Sequence, residues 1–121
     1  MTLKSFAFGA ALLAALPAYA HEAKGPHGGR LVDAGANHAE LVVKDKAIEI
    51  FLMDGSDKPL DPKGFRGVAI FSLNGKAERI ALVPSAKGAL TGEAAVAFPP
   101  NPKGAVQLTA PDGKTATARF D

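Results

Sequence analysis

The 121-residue chain contains no cysteine and no tryptophan, only one tyrosine, Tyr19, and only three histidines. Without cysteine there is no disulfide framework, no thiolate metal ligand, no thiol nucleophile and no thiol redox chemistry. The fold must be held by burial alone. A second absence is of long apolar runs. The only extended one, within the first 20 residues, is shorter than the roughly 20 residues that a membrane-spanning helix needs.

That first segment has the three-part grammar of a secretory signal peptide: Lys4, an apolar stretch through Leu16, then Pro17 and the small-residue pattern Ala18-Tyr19-Ala20. Residues 1–20 are therefore expected to be removed on export, leaving 21–29 as a flexible lead-in rich in glycine and histidine and 30–121 as one domain. Removal takes away one of the 14 basic residues and none of the 12 acidic ones, so the exported chain carries a net charge of +1. So small a surplus gives little general pull toward nucleic acid or an anionic membrane. The expected location is the periplasm, with no membrane span after cleavage.

Short apolar segments alternate with turn signals, which predicts an all-β fold, a small antiparallel sandwich or barrel of about seven to nine strands. The predicted strands are 30–33, 38–44, 47–53, 68–73, 77–83, 89–91, 93–98, 105–110 and 115–120. Asn74-Gly75 and Asp112-Gly113 read as type I′ hairpin turns. A turn at Asp45-Lys46 pairs Val43 with Ile48, Leu41 with Ile50 and Ala39 with Leu52 on one apolar face. Sliding the register by one residue would put Glu49 into that face. The other face then carries His38 opposite Met53, Glu40 opposite Phe51 and Val42 opposite Glu49.

Enzymatic chemistry finds little support. Ser56, Ser72 and Ser85 lie in no nucleophile elbow or triad context. No glycine loop links a strand to a helix to cradle phosphate. Asp54, Asp57 and Asp61 in "DGSDKPLDPKG" lack the alternating oxygens and closing glutamate of a calcium loop, so the segment reads as a solvated loop. The expectation is a binding protein rather than an enzyme.

All three histidines, His21, His27 and His38, fall in the first eighteen residues after the signal. Imidazole suits zinc, copper, nickel and cobalt, and is the best transition-metal ligand in a chain without cysteine. Glu22, Asp33 and Glu40 offer oxygen nearby and Met53 a soft thioether. The glycines of "GPHGG" leave His27 free to swing toward neighbouring strands, although the same residues also read as a turn with a solvated histidine. If cleavage exposes His21, its α-amine and ring could chelate copper as a histidine brace completed by His27 or His38.

The stretch "GPHGGRLVDAG", followed by "HAELVV" and "IEIFLMDGSDKPLDP", resembles the amino-terminal β-domain of periplasmic adaptor subunits in cobalt-zinc-cadmium type heavy-metal efflux pumps. The resemblance implies a periplasmic domain handling heavy-metal cations, with His27 the residue carried over most directly. For a chain ending at Asp121 it implies a stand-alone copy that delivers or buffers metal as a metallochaperone, without the adaptor's further domains. The ligand set then expected is His27 and His38, completed by His21, Glu40 or Met53, for zinc or copper in the first instance. The alternative is an interaction domain that docks on an efflux-pump adaptor or another envelope protein, with incidental histidines.

Overall fold

The computed structural model describes residues 22–121; the signal segment and His21 lie outside them. Nine strands form in chain order: β1 (Ala23–Lys24), β2 (Arg30–Ala34), β3 (Asn37–Lys44), β4 (Ala47–Met53), β5 (Arg66–Leu73), β6 (Lys76–Pro84), β7 (Leu90–Glu93), β8 (Lys103–Thr109) and β9 (Thr115–Phe120). Among the described residues there is no helix, and none is long and apolar enough to cross a membrane. The strands are antiparallel and ordered β2-β3-β4-β7-β6-β5-β8-β9, and a bridge between Ala34 and Ala118 closes this series into an eight-stranded barrel. The short β1 adds to the outside of β2, below that bridge.

The β3–β4 hairpin has the register that period-2 alternation requires, with Val43 opposite Ile48, Leu41 opposite Ile50 and Ala39 opposite Leu52. All but Val43 of these six are buried, and they line the interior with Phe71, Leu82 and Phe120. The chain runs β4 to β5 over one end of the barrel and β7 to β8 over the other, so that β5, β6 and β7 form a meander between β4 and β8 in Greek-key fashion. The first crossing plugs its end with Leu60, whose N–H donates to Leu52 O at 2.8 Å, and with Phe65.

The second crossing replaces a predicted strand. Residues 93–98 do not continue as a strand past Glu93, because Ala94 N donates to Lys46 O and Phe98 N to Asp45 O, each at 2.8 Å. The chain is pulled toward the β3–β4 turn, and Phe98 enters the open end with its ring edge-on to Phe71. Accordingly the separate segments predicted at 89–91 and 93–98 become one four-residue strand. Arg30 seals the same end. Its guanidinium donates to Pro102 O at 2.6 Å and Asp121 O at 3.0 Å, pairs with Glu22, and lies 5.5 Å above the Phe120 ring.

One turn design occurs four times, at Gly25–Gly29, Asp54–Lys58, Ser85–Ala89 and Ala110–Lys114. In each, the first N–H donates to the fifth carbonyl, the fourth N–H donates to the first carbonyl, and the fourth residue has positive φ. This is a type I turn followed by a left-handed residue, a common three-residue hairpin loop. Asn74-Gly75 has both residues at positive φ, as a type I′ turn requires, whereas at Asp112-Gly113 only Gly113 does. The type I′ expectation fails there because Pro111, with its φ fixed near −65°, takes the first corner of a type I turn.

Candidate functional site

Glu40 projects from the outer face of β3, yet it is wholly buried. The Gly25–Gly29 turn folds back over the wall and covers it. His27 N and Gly29 N each donate to Glu40 Oε2 at 2.8 Å, and Glu40 Oε1 lies 2.7 Å from His27 Nδ1. Three donors thus satisfy a carboxylate whose burial alone would be costly. The glycines are what allow this approach. A Cβ at Gly25 would overlap the Glu40 carboxyl, and one at Gly29 would overlap Leu41 O.

The His27 ring is held on two sides. Its face stacks on Phe51, the cross-strand partner of Glu40, with centroids 3.7 Å apart and planes 8° from parallel. Its edge meets Glu40. A carboxylate at Nδ1 favours the tautomer with the proton there, which leaves the lone pair on Nε2. Nε2 has no protein partner among the described residues, and the side chain is 47% exposed. The expectation of a freely swinging ring is therefore replaced by a fixed one, and the 21–29 lead-in carries both β1 and this clamped turn.

The two principal histidines belong to different clusters. His38 stands opposite Met53, as the register predicts, but its nitrogens face carboxylates: Nδ1 is 2.8 Å from Asp57 Oδ1 and Nε2 is 3.2 Å from Asp33 Oδ1. Only the Nδ1 contact is a hydrogen bond, and the Nε2 contact is an ion pair when the imidazole is protonated. Both oxygens of Glu40 are engaged by the Gly25–Gly29 turn. Among the described residues no group of three or more histidine, aspartate or glutamate side chains is arranged to hold a metal ion.

Beside His27 lies a groove of about 590 Å³, framed by three of the four recurrent turns. Pro26 and His27 come from the first, Asp57 from the second, and Lys87 and Gly88 from the third, while Phe51 and Met53 come from β4. Asp57 is the only one of the four left-handed turn positions not held by glycine, with φ of 64°. Its carboxylate reaches His38 and ties this wall of the groove to the barrel. The sequence reading missed Phe51 as a platform and treated Asp57 as part of a solvated loop. The deduced opposition of Glu40 and Phe51 was the available signal for the seat.

Comparison with family models, curated proteins and solved structures finds no match to this chain.

Proposed function

We propose that this protein is a periplasmic heavy-metal cation binding module that delivers or buffers the ion for efflux, with His27 as its leading ligand. The observation that carries the reading is the His27–Glu40 pair. A histidine that ligates a metal generally donates its other ring N–H to a carboxylate or carbonyl, which fixes the tautomer and raises ligand basicity. Glu40 stands in that relation to His27, and the nitrogen left open lies beside a groove containing further donors. The residues fit a borderline ion. Zinc would take His27 with the Asp61 carboxylate of the groove and water, whereas Cu(I) would favour His27 with the Met53 thioether.

One fixed imidazole beside an open groove suits an ion that must be handed on, since the other ligands can be exchanged. Cobalt and nickel are compatible with the same donors but no feature favours them. The histidine-brace reading rests on His21, outside the described residues.

Calorimetric titration of the chain from His21 onward with Zn(II), Cu(II), Ni(II) and Co(II) tests this function. Micromolar or tighter binding that is lost in His27→Ala and kept in His38→Ala is expected. Equal binding by both variants, or none by the intact chain, would leave the interaction-domain reading in its place.

A further inference from the structure

The near-neutral net charge conceals a sorted surface. Cross-strand register places four cations on the outer face of β5, β6, β8 and β9: Arg66 opposite Thr109, Arg79 opposite Ile70, Lys103 opposite Ser72 and Arg119 opposite Ala105. All four are exposed, and none has an ion-pair partner among the described residues. These strands carry one carboxylate, Glu78, and it shares the inner side with Phe71. The opposite wall, β2 to β4, holds Asp33, Glu40 and Glu49 instead.

Between the cations the β5–β6 half of the face is apolar, while the β8–β9 half carries Gln107 and Thr117. Ile70 is 46% exposed and Val83 57%, with Val68 and Ala81 paired beside them. Runs such as Val68-Ala69-Ile70-Phe71 and Ile80-Ala81-Leu82-Val83 are apolar at every position, a pattern belonging to strands covered on both faces. Among the described residues only the inner face is covered. A second copy in a two-fold contact would set cation against cation, so charge complementarity calls for an anionic occupant.

We infer that this face is a peripheral docking surface for an anionic phospholipid bilayer. Three arginines and a lysine extend beyond the short apolar side chains between them, so they would meet headgroup phosphates first. Ile70 and Val83 would then touch only the interfacial region. Each basic residue near an anionic leaflet contributes about fivefold in partition. The attraction falls off within a Debye length, so association should be weak and salt-sensitive.

Co-sedimentation tests this with vesicles of phosphatidylcholine alone and of phosphatidylcholine with 30 mol% phosphatidylglycerol, at low and high salt. The intact chain should sediment with the anionic vesicles only, and less so at high salt. Arg79→Glu/Arg119→Glu should lower the partition by at least about 25-fold. The charge-matched control Lys46→Glu/Lys58→Glu, on the opposite side, should keep most of it, with circular dichroism verifying the fold of both. Equal loss in the two variants would overturn the assignment by tracing binding to net charge. No sedimentation with anionic vesicles would overturn it in favour of an acidic protein partner.

Discussion

The carboxylate of Glu40 and the backbone N–H of Gly29 meet at 2.8 Å beneath a turn that begins at a glycine pressed against that same carboxylate. The turn and the acid thus hold each other in place. Local chain preference alone would not bring them together, because Glu40 lies eleven residues beyond Gly29.

Gly25→Ala places a methyl group in the Glu40 carboxyl, so it should destabilise by about 1–3 kcal/mol, the usual cost of overpacking. Gly28→Ala meets nothing within 4 Å and is opposed only by its φ of 80°. Its cost should be smaller, about 1 kcal/mol. Urea denaturation of the two variants checks the ranking, and a reversed order would contradict the close approach of turn and carboxyl.

Glu40→Gln keeps the shape and an acceptor for the two backbone N–H groups, but it removes the charge from three hydrogen bonds and forces His27 into the opposite tautomer to accept from the new amide N–H. A loss of about 2–3 kcal/mol is expected, with hydrogen exchange at His27 and Gly29 accelerated ahead of the rest of the barrel. Unchanged exchange at those amides would show that the turn is held by something else.

Asp57→Gly relieves a left-handed non-glycine residue but loses the contact with His38. The two effects oppose each other, so stability should stay within about 1 kcal/mol of the parent. In a His38→Ala background only the relief remains, and the same substitution should stabilise. A double-mutant cycle on denaturation midpoints measures the difference.

Arg30→Lys keeps the charge and gives up the planar fork that spans Pro102 O and Asp121 O. The loss should be about 1.5–3 kcal/mol. It should appear first as faster exchange in β9, where a single bridge to β2 closes the barrel.

The period-2 pattern made the β3–β4 hairpin legible down to its pairs, because only one register keeps Glu49 out of the core. It also revealed the all-β class and most strand limits. What it left unread depends on contacts between distant segments. Residues 93–98 have a strand's composition, yet hydrogen bonds to the Asp45-Lys46 turn redirect them. The candidate site shows the same limit. His27 was legible as a ligand by composition, whereas the role of Glu40 as its clamp arises only when the preceding turn folds back over β3. His38 and Met53 are opposed as the alternation requires, but the aspartates that occupy both nitrogens of His38 come from β2 and from the loop after β4.

In the proposed function His27 Nε2 is the open nitrogen that takes the metal. Long-range ¹H–¹⁵N spectra of the imidazoles, recorded while Zn(II) is added to the chain from His21 onward, test it most directly. His27 should be protonated at Nδ1 before addition, and its Nε2 resonance should shift as zinc binds, while both His38 resonances stay in place. Because proton and metal compete for the same lone pair, acidification should reverse the shift. A metal-dependent shift at His38 with His27 unmoved would rule out His27 as the leading ligand.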